Sequence, residues 1–191
     1  ERLERLSQFI AQDFDGNFRW RSFVDTGPIL ERDLAVKAGL GWVGKNTCLI
    51  HRELGSYLFL GVILCNQIFT SSFLETDQCG SCSLCIDACP TQALSPYQLN
   101  PSRCLAYQNI EKRGPRDREF WIAFHDHLVG CDVCQEVCPW NREAPLTRQK
   151  EWKRDFDLFS LPHLETLLTW DEKEYKRQVK SSAISLRPTN R

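Results

Sequence analysis

The 191-residue chain lacks any long apolar run. Its most hydrophobic stretch, Tyr57 to Cys65, has the length of a buried strand and falls far short of the roughly eighteen residues of a membrane helix. No membrane partner is therefore expected. The chain also lacks a strong charge of either sign, with 24 Lys and Arg against 25 Asp and Glu and a formal net charge of −1. That balance excludes the uniformly basic footprint of a dedicated nucleic-acid binder. It is uneven, however. Residues 1–100 carry eight Lys/Arg against eleven Asp/Glu, and the remainder sixteen against fourteen, which leaves room for a local basic patch. Low-complexity segments and a signal-peptide pattern are absent, and the first residue is Glu1 rather than methionine. With its end at Asn190-Arg191, inside a basic polar run, the chain reads as a piece of a longer protein.

What the chain has in abundance is cysteine, ten in all. Seven of them fall in two short clumps, Cys79 to Cys89 and Cys131 to Cys138. A disulfide framework spreads its cysteines, because closing long loops constrains the unfolded chain most; clumping favours metal. Cys79-Gly-Ser-Cys82-Ser-Leu-Cys85-Ile-Asp-Ala-Cys89-Pro90 matches the bacterial ferredoxin run C-x2-C-x2-C-x3-C-P at every position. Three thiolates spaced by two residues can serve one cubane, while the cysteine before proline ligates the other cluster. The second copy, Cys131-Asp-Val-Cys134-Gln-Glu-Val-Cys138-Pro139, lacks its first cysteine, and Cys104 is the natural substitute. One 4Fe–4S cluster is then expected on Cys79, Cys82, Cys85 and Cys138. The other is expected on Cys89, Cys104, Cys131 and Cys134. Zinc is the competing metal, but its sites pair C-x2-C knuckles and would leave these ligands surplus. Cys48 and Cys65 remain, and both read as small buried hydrophobes in apolar strands.

Around the cysteines the pattern is α+β. Glu1 to Asp13 places Leu3, Leu6, Phe9 and Ile10 on one helical face, and Phe18 to Val24 reads as a strand. Asp25 to Pro28 is a strand-to-helix turn, with Pro28 suited to the first helical position. The following helix, Ile29 to Ala38, ends at Gly39 as a C-terminal cap. Gly39, Gly41 and Gly44 make a glycine-rich loop. Thr47 to Ile50 and Tyr57 to Cys65 read as strands joined at Gly55-Ser56. After Ser71-Ser72 the chain turns to short elements organised by metal. Leu158, Leu161, Leu164, Leu167 and Leu168 then suggest one more helical region.

Val24 to Pro28 (VDTGP), Ala38 to Thr47 (AGLGWVGKNT), Cys104 to Gly114 (CLAYQNIEKRG) and Gly130 to Asn141 (GCDVCQEVCPWN) together resemble the epoxyqueuosine reductase family. The likeness runs from about Phe18 to about Arg187. It implies a bacterial, cytoplasmic, monomeric enzyme that reduces epoxyqueuosine to queuosine at the tRNA wobble position. Cobalamin would do so with electrons from the two 4Fe–4S clusters, resupplied by a donor of flavodoxin or ferredoxin type. The implied architecture joins part of a nitroreductase-like cobalamin-binding domain (1–72) to a ferredoxin-like two-cluster domain (73–145), followed by a helical, basic segment (146–191).

Removing an epoxide oxygen to leave an alkene needs two electrons and a proton donor, and the reducing power must come from cofactors. By resemblance Asp25 is that acid; the residues alone favour an N-cap. The same resemblance places Lys45, Asn46, Thr47, His51, Gly55, Ser56 and Tyr57 around cobalamin. The loop is not a P-loop, because Asn46 follows Lys45 where Ser or Thr is required. Lys112, Arg113 and Arg142 are expected to meet tRNA phosphates, with Arg116, Arg118, Arg148, Lys150, Lys153, Arg154, Lys173, Lys176, Arg177 and Lys180 as further basic candidates. Tyr107, Trp140 or Trp152 could stack on an extruded base. His125 and His127 read as surface residues. A reductive dehalogenase-like enzyme and a plain ferredoxin-type carrier are the competing readings; the carrier leaves Phe18 to Cys65 without a purpose.

Overall fold

The computed structural model describes residues 1–70, 73–115, 117–124, 127, 129–147 and 164–178. Outside these lie Ser71-Ser72, Arg116, His125, Arg148, Lys150, Trp152, Lys153, Arg154, Leu158, Leu161 and Lys180. The chain forms two compact units, one of Glu1–Asn100 with Val133–Ala144, the other of Pro101–Asp132 with Pro145–Arg191. Among the described residues no helix is long and apolar enough to cross a membrane.

The first unit opens with helix α1 (Arg2–Ala11), which tightens into a 3₁₀ turn at Gln12–Phe14. Ser7, not a leucine, is its buried residue, and its hydroxyl donates to the Leu3 carbonyl at 2.9 Å. Leu6 and Phe9 of the expected apolar face are exposed. Strand β1 (Trp20–Phe23) is shorter than the Phe18 to Val24 reading. Its partner is antiparallel β4 (Val62–Cys65), in a register running from Trp20 opposite Cys65 to Phe23 opposite Val62. That register explains why the expected strand Tyr57 to Cys65 keeps only its last four residues. The ladder ends with β1, and Tyr57 and Phe59, with no strand beside them, stay exposed.

Helix α2 (Glu31–Lys37) begins later than its apolar pattern suggested. Leu30 is its N-cap, so Pro28 lies in the preceding bends and not at the first helical position. The other end matches expectation. Gly39 sits at φ +73°, and its N–H donates to Val36 while Leu40 N–H donates to Ala35, the paired bonds of a Schellman cap. Acidic Glu31 and Asp33 in the first turn and Lys37 in the last agree with the helix dipole.

Beyond the cap, β2 (Trp42–Val43) and β3 (Leu49–Ile50) pair antiparallel, Trp42 opposite Ile50. Gly41 permits this close crossing, since a Cβ there would stand 2.0 Å from the Ile50 carbonyl oxygen. Cys48 lies in the bend before β3 rather than within a strand, and both it and Cys65 are only partly buried. The unit closes with the helical turn α3 (Leu84–Asp87) and the hairpin of β5 (Leu94–Ser95) and β6 (Gln98–Leu99). The turn Val133–Glu136 and a 3₁₀ turn Pro139–Asn141 complete it. A core of Trp42, Ile50 and Cys138, with Cys79 and Trp140 packed against it, joins both cysteine runs to β2 and β3. This core is why the compact unit reaches past residue 72 and takes in Cys134 and Cys138.

The second unit contains a π-helical segment Tyr107–Glu111, a 3₁₀ turn Arg118–Phe120 and a helical turn Trp121–Phe124. Leu105 and Phe120 are its buried apolar residues. The expected leucine helix appears as Leu164–Thr169, followed by a separate helix Glu172–Gln178.

Candidate metal centre

The first cysteine run begins on a side-chain anchor. Asp77 Oδ1 accepts the Cys79 N–H at 2.8 Å, and Tyr97, from the β5–β6 hairpin, donates its hydroxyl to Asp77 Oδ2. Burial alone would raise the Asp77 carboxyl, but its bonds from Tyr97 and Cys79 outweigh that and hold it below its ordinary value. The same bond pushes the Tyr97 phenol up to about 12. Cys82 N–H closes a tight turn on the Cys79 carbonyl at 3.0 Å, and Gly80 takes φ +49° within it. At the end of the run the Ala93 N–H donates to Cys89 Sγ at 3.3 Å.

None of the ten cysteines forms a disulfide. Burial pushes Cys79, Cys85 and Cys138 up, and for Cys85 the neighbouring Cys134, Cys138 and Cys79 add to it. Cys138 is raised further by Cys79, Cys82 and Cys134. These mutual effects place Cys79, Cys82, Cys85, Cys134 and Cys138 in one neighbourhood. A bound cation reverses the balance, since ligation deprotonates each thiol. Among the described residues no three His, Cys, Asp or Glu converge as they would on a single ion. A cubane asks for something else, each thiolate on its own iron.

The fit to a cluster rests on an orphaned donor. Trp42 is 2% exposed, and its indole N–H is buried with no protein acceptor in hydrogen-bonding geometry. It nevertheless lies near enough to the Cys79 sulfur to oppose, with the Lys45 backbone, the effect of burial on that thiol. A buried N–H without an acceptor is rare, and a thiolate or bridging sulfide beside Cys79 would satisfy this one.

The glycine-rich loop turns toward the cysteines. Lys45 Nζ donates to the Gly80 carbonyl at 2.7 Å and to the Cys82 carbonyl at 2.8 Å. Asn46, almost wholly buried, donates to the Cys134 carbonyl at 3.2 Å and accepts from Cys48 N–H. Ser56 donates its N–H to Asn141 Oδ1 at 2.7 Å and its hydroxyl to Gln135 Oε1 at 2.9 Å, and Asn141 Nδ2 returns a bond to Ser56 Oγ. Gly55, at φ +70°, has no room for a side chain, with Asn141 Oδ1 only 2.1 Å from where a Cβ would stand. His51 Nδ1 accepts the N–H groups of Glu53 and Leu54. Thr47 adopts φ +65°, strained for a β-branched residue, and its carbonyl accepts from Arg32. Of the residues expected around cobalamin, Lys45, Asn46 and Ser56 thus hydrogen-bond to the cysteine runs, and Gly55 packs against Asn141.

Asp25 is exposed, at φ +50°, in the loop after β1. It caps no helix, because α2 starts six residues later. In the second unit Asn109 is buried and pairs reciprocally with Gly130, donating to its carbonyl and accepting its N–H, both at 2.9 Å. That fixes the backbone immediately before Cys131. Cys104 opens the segment leading to Asn109, its carbonyl accepting Gln108 N–H at 2.9 Å. Arg113 and Arg142 are exposed, whereas Lys112 pairs with Asp117 at 2.9 Å. Asn109, Gln135, Asn141 and Trp42 escaped the sequence reading. The one available signal was their position inside the motifs, beside the cysteines.

Residues 78–141 match the family model of a 4Fe-4S double cluster binding domain. Along nearly its whole length, 96%, the chain is 42% identical to an epoxyqueuosine reductase of Xanthomonas campestris pv. campestris, covering 51% of that protein. The chain aligns with half of an epoxyqueuosine reductase. It spans about half the length of the curated relatives it matches. Among solved structures, it is similar to an epoxyqueuosine reductase with a tRNA-Tyr epoxyqueuosine-modified stem loop, at 36% identity and a TM-score of 0.82. It is equally similar, at 33% identity and the same TM-score, to the epoxyqueuosine reductase of Bacillus subtilis with its catalytic aspartate loop swung out of the active site. Each structural match covers 92% of this chain and 46% of the other. The motif-level resemblance to epoxyqueuosine reductase therefore extends along the chain, and an iron–sulfur region lies at its centre.

Proposed function

We propose that this chain carries the two 4Fe–4S clusters and the proton donor of an enzyme that reduces epoxyqueuosine to queuosine in tRNA. The observation that carries the reading is the buried Trp42 N–H with no protein acceptor, set against Cys79 where both cysteine runs meet. Cys79, Cys82, Cys85 and Cys138 hold one cluster. Cys89, Cys104, Cys131 and Cys134 hold the other, with the Ala93 N–H already directed at the Cys89 sulfur.

The reaction breaks both carbon–oxygen bonds of the epoxide, takes up two electrons and two protons, and releases the oxygen as water. Clusters supply electrons one at a time, and a donor of flavodoxin or ferredoxin type replenishes them. Cobalamin would supply a strong reductant at the substrate. Its pocket calls for groups beyond Lys45, Asn46, Gly55 and Ser56, which are engaged with the cysteine runs. Thr47, His51 and Tyr57 remain as contributors from this chain.

Asp25 is the proton donor. Its loop after β1 is exposed, and the similar Bacillus subtilis enzyme has been solved with its catalytic aspartate loop swung out of the active site. Closure over the substrate would bring the carboxyl to the departing oxygen and shield both from water. Arg113 and Arg142, both exposed, suit tRNA phosphates, and Lys112 can exchange Asp117 for one. The likeness to a structure bearing a modified tRNA stem loop supports this substrate. We place the enzyme in the cytoplasm as a monomer, with a nitroreductase-like fold around residues 1–72.

The test is an anaerobic assay on epoxyqueuosine-bearing tRNA, with and without cobalamin, scored for queuosine. Cobalamin-dependent formation of queuosine is expected. A protein that passes electrons but shows no corrin binding and no turnover would be a ferredoxin-type carrier instead.

A further inference from the structure

We infer that Trp42 and Lys45 set the reduction potential of the cluster held by Cys79, Cys82, Cys85 and Cys138. The inference rests on the cluster assignment above and concerns what surrounds that cluster.

Two kinds of group govern how readily a 4Fe–4S cluster accepts an electron: hydrogen bonds to its sulfurs and nearby charge. Reduction adds negative charge, so a donor or cation at fixed distance stabilises the reduced form more than the oxidised one. Both groups occur here on one hairpin, Trp42 in β2 and Lys45 in the turn after it. Trp42 brings an indole N–H that is buried and has no protein acceptor, held among Ile50, Cys138, Cys79 and Trp140. Trp140 packs edge-on against it, ring centroids 4.9 Å apart, and keeps the indole in place. Lys45 brings a cation. Its Nζ is fixed by two carbonyls of the cysteine loop itself, Gly80 at 2.7 Å and Cys82 at 2.8 Å, so the charge cannot swing away. A lysine acting only as a staple could be replaced by any donor of equal reach; a lysine that tunes the cluster could not. The β2–β3 hairpin is thereby an electrostatic lever on one cluster.

Anaerobic redox titration followed by electron paramagnetic resonance tests this, with iron and sulfide counted on the same reconstituted samples. Trp42→Phe keeps the ring and removes the N–H; Lys45→Gln keeps a donor and removes the charge. Each is expected to lower the midpoint of one cluster and leave the other unchanged. At a fixed potential the reduced-to-oxidised ratio of that cluster should fall roughly tenfold, about 59 mV for a one-electron couple. Trp140→Phe, which keeps an aromatic ring against the indole and leaves the orphaned donor in place, should shift neither midpoint. Unchanged midpoints in both variants with full iron and sulfide would overturn the inference, as would an equal shift in Trp140→Phe. If Trp42→Phe loses its cluster, Lys45→Gln decides alone, a lowered midpoint supporting the inference and an unchanged one overturning it. Wild-type protein without sulfide would bring down the cluster assignment and this inference with it.

Discussion

Replacing Gly55 with alanine probes how the second cysteine run is held. Gly55 lies at φ +70°, where a Cβ costs about 1–2 kcal/mol from backbone strain alone. The added methyl would also meet Asn141 Oδ1 at 2.1 Å and the Trp140 carbonyl at 3.1 Å, neither of which can stay in place. Asn141 is the hub of the contact, accepting Ser56 N–H and donating to Ser56 Oγ and the Gln135 carbonyl. Losing two of these bonds costs about 1 kcal/mol each. The total is about 3 kcal/mol, confined to the contact between the His51–Gly55 turn and the run that carries Cys134 and Cys138. If iron leaves through local opening of that contact, each 1.4 kcal/mol raises the open population tenfold. Cluster bleaching by an iron chelator under nitrogen, followed by visible absorbance, should then be roughly a hundredfold faster in Gly55→Ala. A rate within threefold of wild type would refute the reasoning, because it would mean that the run is held without this turn.

The remaining predictions concern separate parts of the molecule. Asn109→Ala removes both bonds to Gly130 and should lower iron from roughly eight to roughly four per chain, since only the cluster using Cys131 loses its support; iron analysis decides. Asp25→Asn should abolish queuosine formation while leaving the visible and paramagnetic spectra intact, and full turnover would remove Asp25 from the mechanism. The phenol of Tyr97, raised to about 12, contributes stability that is fully present below its ordinary value near 10 and lost as pH rises through about 12. The Asp77 carboxyl, held below its ordinary value, contributes stability that is present above about 3.8 and lost as pH falls through the lowered value. Tyr97→Phe should remove the tyrosinate that appears at about 12 in an ultraviolet titration. Binding of the tRNA stem loop should weaken steeply with salt, and Arg113→Ala or Arg142→Ala should each shallow that dependence by about one phosphate contact.

The parts of this molecule legible in the sequence are those fixed by short-range chemistry. Ligand spacing in Cys79 to Cys89 is set by the reach of a tight loop, and the Gly39 cap by the left-handed backbone that ends α2. What escaped depends on distant pairing. The stretch from Tyr57 to Leu60 looks like strand, but β1 ends opposite Val62 and offers it no partner. Leu6 and Phe9 show a helical apolar face, yet nothing in a single helix says what covers it, and both are exposed. Lys45 and Asn46 have the chemistry of ligand donors. Only the fold reveals that their bonds cross 37 and 88 residues to the two cysteine runs. Trp42 reads as one more core aromatic until its N–H is found buried without a protein acceptor.

Iron and acid-labile sulfide, measured on protein purified without oxygen, test the central claim most directly. Two cubanes predict roughly eight of each per chain with a brown absorbance that bleaches on reduction. Stoichiometric zinc in a colourless, sulfide-free preparation would contradict it.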